Sequence, residues 1–150
     1  MKKILITGGC GFIGSHLSEF LLQKNFEISV FDRYNINDHK GLLDSSKFKK
    51  EIKFILGDIR DFDSINRAIE GQDVVVHMAA LIGIPYSYVS PLAYIKTNIE
   101  GTYNVLESCR KNNVNNIINT STSEVYGSAL FTPIDENHPI QAQSPYSASK

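Results

Sequence analysis

Tyr146 and Lys150 stand four residues apart in Tyr146-Ser147-Ala148-Ser149-Lys150. On a helix that spacing puts both side chains on one face. A phenol with an ordinary pKa of about 10 is a poor base near neutrality. An ammonium one turn away stabilises the phenolate, as does any further positive charge facing it. Such a pair can take the proton of an alcohol while hydride leaves the same carbon. Alone, the spacing also fits a chance helix face, so its meaning rests on the rest of the chain.

Upstream lies Thr120-Ser121-Thr122-Ser123-Glu124-Val125-Tyr126-Gly127. Thr122 is placed to hydrogen-bond the hydroxyl that reacts beside Tyr146, with Ser123 next to it against the substrate. A carboxylate at Glu124, beside a dry site, is costly unless it has a task such as abstracting a carbon-bound proton. The alternative is a solvated loop acid. His77 ends an apolar run and reads as structural. Asn98 is expected to bond backbone near the cofactor, and Tyr86 and Tyr88 either line a sugar pocket or pack a loop.

The partner of this chemistry is announced by Thr7-Gly8-Gly9-Cys10-Gly11-Phe12-Ile13-Gly14, with glycines at 8, 11 and 14 between an apolar run and a helix-period segment. Gly8 allows a sharp turn, Gly11 lets backbone approach a pyrophosphate, and Gly14 lets the helix pack closely on a sheet. Phe12 and Ile13 open that helix, so its free N–H groups and positive dipole end face the phosphates. Asp32 follows eighteen residues after Gly14, at the end of the second apolar run. A carboxylate there accepts the ribose hydroxyls and repels a 2′-phosphate, which favours NAD over NADP. Arg33 softens that preference. Asp58 and Ile59 end the third strand, where Asp58 either bonds the adenine amino group or caps a helix. Met78, Ala79 and Ala80 after the fourth strand, and Thr120 after the fifth, complete the expected cofactor contacts, together with Asn98, Tyr146 and Lys150.

The elements needed to hold these residues are legible. Strands are expected at 4–6, 28–31, 52–56, 73–77 and 116–120. A helix over 12–24 carries Phe12, Ile13, His16, Leu17, Phe20 and Leu21 on its inward stripe. A second runs from a cap at Asp61 to about Glu70. A long one runs from Pro91 to about Asn112, and another opens at Pro145. Residues 33–50 read as a loop with a short helix, and 128–144 as a long loop. Strands alternating with helices imply an α/β fold, a doubly wound parallel sheet of Rossmann type with right-handed crossovers. The last helix has barely one turn before Lys150, so the sequence reads as a truncated N-terminal fragment, one NAD-binding domain over 1–150 without a substrate domain.

Fifteen Lys/Arg against sixteen Asp/Glu leave a net charge of −1. That balance makes no electrostatic case for nucleic acid or an anionic membrane. No run approaches the ~20 apolar residues of a membrane span. Cys10 and Cys109 have no metal-type spacing and read as reduced thiols, so a cytoplasmic protein with no metal is expected.

Together these segments resemble the extended short-chain dehydrogenase/reductases, the NAD-dependent epimerases and dehydratases of nucleotide sugars. Ala80-Leu81-Ile82-Gly83-Ile84-Pro85-Tyr86-Ser87-Tyr88, Ser121 to Gly127, Thr132 to Glu136 and Gln143 to Lys150 are most similar to one branch. That branch is the 4,6-dehydratases of nucleotide-linked N-acetylglucosamine used in legionaminic acid synthesis. The resemblance implies a lyase working by an internal redox cycle. Tyr146, with Lys150 and Thr122, takes the C4 hydroxyl proton as hydride passes to NAD. Glu124 removes the C5 proton, water leaves from C6, and hydride returns there. The dTDP-glucose 4,6-dehydratases resemble the same stretch but carry Asp where this chain has Ser123, so Glu124 or water must supply the proton to the leaving hydroxyl. The alternatives are a UDP-glucuronate decarboxylase, an epimerase, or a non-catalytic dinucleotide-binding module. The resemblance further implies a UDP- or GDP-N-acetylhexosamine substrate and, at full length, a homodimer built partly on the helix from Pro91.

Overall fold

Ile4, Leu5 and Ile6 are all buried, which requires packed layers on both sides of the strand that carries them. The computed structural model describes residues 1–33 and 39–150. In chain order the strands are β1 (Lys3–Thr7), β2 (Glu27–Asp32), β3 (Lys53–Leu56), β4 (Val74–His77) and β5 (Asn116–Asn119). The helices are α1 (Phe12–Gln23), α2 (Phe62–Ile69), α3 (Ile84–Val89), α4 (Pro91–Tyr94), α5 (Gly101–Lys111) and α6 (Pro145–Ala148). The chain divides into two units: residues 1–79 with 101–120, and residues 80–100 with 121–150.

The first unit holds the expected doubly wound sheet, all parallel, in the order β3-β2-β1-β4-β5. Its winding reverses between β1 and β4, and ligands of such sheets sit at the strand ends beside that reversal. Side chains alternate between two cores. Leu5, Phe31 and Val75 pack on one face with Ile65 and Ile69 of α2 and Val105 of α5. Ile4, Ile6, Val30 and Val76 pack on the other, against Leu17, Leu21 and Leu22 of α1 and Leu43. Leu43 sits on a 3₁₀ turn at Gly41–Ser45, the short helix expected in the 33–50 segment. Residues 34–38 of that segment lie outside the described residues.

The inward stripe expected on α1 holds for Leu17 and Leu21, which pack on the core, and is corrected for its other members. Phe12 (72%), Ile13 (63%) and Phe20 (56%) are exposed, and so is His16. The buried residues of the helix are Gly14, Ser15 and Ser18. Small residues face the sheet because the helix starts so close to the glycine turn. A Cβ on Gly14 would lie 2.5 Å from the Gly8 carbonyl oxygen. Ser15 Oγ and Ser18 Oγ donate to the Phe12 and Gly14 carbonyls, so neither buried hydroxyl is orphaned.

Asp61 caps α2 by accepting the Ser64 N–H at 3.1 Å. Asp61→Ala is therefore expected to cost about 1 kcal/mol, read as a lower urea midpoint with unchanged slope.

The long helix expected from Pro91 to about Asn112 is present as residues 91–111, helical throughout, with one departure in the second unit. There Pro91–Tyr94 is α-helical, and Ile95–Glu100 is π-helical. Asn98 gives the tertiary reason. Its side chain accepts the Leu81 N–H at 2.9 Å and donates to the Leu81 carbonyl at 3.0 Å, an anchor that apolar periodicity does not register. The segment holding Tyr86 and Tyr88 is itself a short helix, α3, with Pro85 in its first turn. The 128–144 loop is pinned by buried His138. Nε2 accepts the Leu130 N–H and Nδ1 donates to the Pro139 carbonyl, so the ring is the neutral Nδ1–H tautomer. No helix among the described residues is long and apolar enough to cross a membrane. Cys10 and Cys109 are both free and buried. Burial, with Asp32 close by, pushes the Cys10 thiol up to about 12, and burial alone pushes Cys109 up to about 11.

Candidate functional site

The glycine turn joins β1 to α1 within the first unit. Gly8 has φ +72°, and a Cβ there would lie 2.8 Å from the Ala79 nitrogen, so only glycine fits. Gly11 is different. Among the described residues a Cβ there would meet only the Gly8 carbonyl, at an ordinary 3.4 Å. The protein itself does not require glycine at 11, which leaves the adjoining space for a ligand. Gly11 is also the N-cap of α1 and supplies no side-chain cap, so the first N–H groups of Phe12 and Ile13 are uncapped. Uncapped donors at a dipole's positive end suit a pyrophosphate.

Asp32 is 7% exposed. Its Oδ2 accepts the Cys10 N–H at 3.0 Å and its Oδ1 accepts the Arg33 N–H at 2.8 Å. These two bonds orient the carboxylate. Glycine turn, open helix start and oriented acid together fit an adenine dinucleotide with free ribose hydroxyls.

Asp58 is not the cap of α2 and is engaged by Arg60. The guanidinium Nε reaches both carboxylate oxygens (3.0 and 3.1 Å), and the Arg60 N–H donates to Oδ1 at 2.9 Å. Hydrogen bonding to the Arg60 side chain holds the Asp58 carboxyl below its ordinary value. Arg33 lies 4.0 Å from the same carboxylate. Next to it Ile59 is buried, and Asn104 Nδ2 donates to the Ile59 and Arg60 carbonyls at 3.0 and 3.2 Å.

At the end of β4, Thr7 Oγ1 accepts the N–H groups of Met78 and Ala79, each at 3.2 Å. The same oxygen lies 2.7 Å from His77 Nδ1. With two N–H groups accepted, the Thr7 hydrogen points at Nδ1, so His77 carries its proton on Nε2. That atom is 3.0 Å from Thr102 Oγ1. His77 is thus a structural clamp on the glycine turn. The Thr120 N–H donates to the His77 carbonyl at 3.0 Å. Thr7, Thr102 and Asn104 are missing from the sequence reading. A hydroxyl immediately before the first glycine is the one signal that could have marked Thr7.

The residues expected to handle protons lie in the second unit. Ser144 and Ser147 form a capping box around Pro145, which sets the start of α6 and buries Tyr146 to 8% exposure. Ser149 Oγ donates to the Tyr146 carbonyl at 2.7 Å, and Asn98 Nδ2 donates to Ser149 Oγ at 2.8 Å. Asn98 thus bonds backbone as expected, at Leu81. Ala80 begins this unit. The shared helix face expected for Tyr146 and Lys150 is corrected: α6 ends at Ala148, so Lys150 lies beyond it, half-buried, and burial holds its ammonium below the ordinary lysine value.

A 3₁₀ turn at Ser123–Tyr126 packs against α6. Thr122 caps it, its Oγ1 accepting the Glu124 N–H at 3.3 Å, which leaves the hydroxyl hydrogen for a further partner. Ser123 and Glu124 are exposed. The cost of burying a carboxylate therefore does not apply to Glu124, and its role rests on position. Tyr86 is exposed, while Tyr88 Oη donates to the Gln143 carbonyl at 2.8 Å.

A family model described as GDP-mannose 4,6 dehydratase matches residues 5–150. The chain is 37% identical to the dTDP-D-glucose 4,6-dehydratase of Dictyostelium discoideum, over all of this chain and 38% of that protein. Among solved structures it is similar to the UDP-Glc/GlcNAc 4-epimerase of Campylobacter jejuni, with a TM-score of 0.91 and 34% identity over 100% of this chain and 46% of that one. It is likewise similar to the dTDP-glucose 4,6-dehydratase of Streptomyces venezuelae solved with NAD, with a TM-score of 0.89 and 33% identity over 99% and 48%. The chain spans less than half the length of each of these proteins. It belongs to the GDP-mannose 4,6 dehydratase family, NAD-dependent epimerases and dehydratases on a Rossmann-type short-chain dehydrogenase/reductase fold.

Proposed function

We propose that this chain carries the dinucleotide cradle and proton-handling residues of a nucleotide-sugar 4,6-dehydratase acting on a UDP- or GDP-N-acetylhexosamine. NAD is the expected cofactor, since structural neighbours hold it. When bound, NAD accepts hydride from the sugar C4 and returns it at C6.

Gly11 with the N–H groups of Phe12 and Ile13 would hold the pyrophosphate, and Asp32 the adenosine ribose. Asp58 and Ile59 would border the adenine. Met78, Ala79, Ala80, Asn98 and Thr120 would border the rest. Tyr146 Oη takes the C4 hydroxyl proton, with the Lys150 ammonium favouring the phenolate and the Thr122 hydroxyl orienting the substrate. The 4-keto group makes the C5 proton acidic, and Glu124 removes it. Glu124 then delivers that proton to the departing C6 hydroxyl, a task for which the Ser123 hydroxyl is too weak an acid. Tyr86 and Ser123 border the sugar. Exposed Leu92, Ile95 and Ile99 form an apolar stripe that supports a homodimer.

The observation that carries this reading is Glu124, presented on an exposed turn packed against the helix that bears Tyr146. Epimerisation at C4 needs no base for a C5 proton. The likeness to the C. jejuni 4-epimerase favours that second reading. Mass spectrometry separates them. The protein at its full natural length, given NAD and UDP- or GDP-N-acetylglucosamine, is expected to yield a product lighter by one water. An unchanged mass with a new epimer would establish the second reading instead. In the dehydratase case Glu124→Gln should lower water loss about 10²-fold while hydride transfer from C4, read as nicotinamide absorbance, continues.

A further inference from the structure

Among the described residues Tyr94 heads the fully buried side chains in volume, at 1% exposure, and it sits where α4 passes into the π-helical stretch at Ile95–Glu100. Its hydroxyl donates to the Gly83 carbonyl at 2.5 Å. That carbonyl also accepts the Ser87 N–H at 3.0 Å, so both its lone pairs are used and the acceptor is fixed. The Tyr94 ring meets the Tyr146 ring edge-on, with centroids 6.2 Å apart and planes at 74°, a favoured aromatic arrangement. On its other flank it meets the Tyr86 ring at 6.3 Å.

The backbone of Tyr146 is held by the Ser144–Ser147 capping box and by Ser149. Those bonds do not hold the ring. Rotation about χ1 can still carry the phenol oxygen several ångströms, while χ2 only spins the ring about the axis on which that oxygen lies, and proton transfer needs the oxygen within hydrogen-bond reach of the substrate hydroxyl.

We propose that Tyr94 is a positioning residue for Tyr146: its ring, locked by the bond to Gly83, sets the direction in which the Tyr146 phenol points. The inference rests on the reading of Tyr146 as the proton acceptor. It makes the Gly83 carbonyl and the start of α3 part of the support of that group.

The test compares Tyr94→Leu and Tyr94→Phe with the parent, all at full natural length. One readout is ring motion of Tyr146, by NMR of ring-labelled tyrosine assigned with Tyr146→Phe. The other is steady-state turnover of the nucleotide sugar. Tyr94→Leu should free the Tyr146 ring and lower kcat about 10²-fold, with KM within about twofold, as for a misplaced reacting group. Tyr94→Phe keeps the ring contact and loses the Gly83 bond, and should lower kcat about fivefold with partial loosening of the Tyr146 ring. A folded Tyr94→Leu protein with a lowered melting temperature but parental Tyr146 ring order and kcat would overturn the proposal. If that variant does not fold, Tyr94→Phe decides: a loosened ring supports the proposal, and parental order and rate overturn it. A parent that turns over no nucleotide sugar would sink the functional reading, while ring motion still decides this one.

Discussion

Tyr146→Phe is expected to lower turnover about 10⁴-fold and to leave KM and the melting temperature nearly unchanged. The ring is what packs against Tyr94, and phenylalanine keeps it. Only Oη is lost. In the proposed redox cycle the first step removes a proton at the C4 hydroxyl, so no later step, Glu124's included, could proceed without it. The loss should therefore exceed that of Glu124→Gln, which spares the first oxidation. Stopped-flow measurement of nicotinamide absorbance checks the point: Glu124→Gln should still show the first hydride transfer, and Tyr146→Phe should not. A Tyr146→Phe enzyme with parental oxidation at C4 would show that another group moves that proton.

Gly14→Ala is expected to abolish dinucleotide binding and to destabilise the fold by about 3 kcal/mol, the upper end for overpacking. The added Cβ would sit 2.5 Å from the Gly8 carbonyl oxygen and 2.6 Å from the Gly9 Cα. Both are backbone atoms, so nothing flexible can yield. Gly11→Ala is the control. Its Cβ finds ordinary contact, so the urea midpoint should stay parental while dinucleotide affinity falls at least about tenfold, measured by calorimetry. If Gly11→Ala bound dinucleotide as well as the parent, the pyrophosphate would not approach the turn at Gly11.

Much of this was legible in the residue order. The strand–turn–helix around Gly8, Gly11 and Gly14 was readable because glycine spacing reports backbone geometry directly. The Asp61 cap was readable because capping is local, three residues from donor to acceptor. The α1 stripe misled because periodicity shows that a helix has two faces and not how near the sheet lies. Close approach selected Gly14, Ser15 and Ser18 for the inner face over Phe12 and Phe20. The π-helical turn at 95–100 was hidden for a related reason, since Asn98 answers to Leu81, seventeen residues away.

By itself, then, the sequence determined the order of the strands along the chain, the parallel sheet, the turn suited to a dinucleotide, and the acid that ends β2. Each is a pattern within one turn, strand or helix, where local sterics and hydrogen bonding act. The tertiary structure alone decided what each polar group meets. Thr7 and His77 are seventy residues apart and become partners because parallel register sets Thr7 beside His77. Tyr94 reaches Tyr146 across more than fifty residues for the same kind of reason. Packing brings the two rings together, and no local period encodes that meeting.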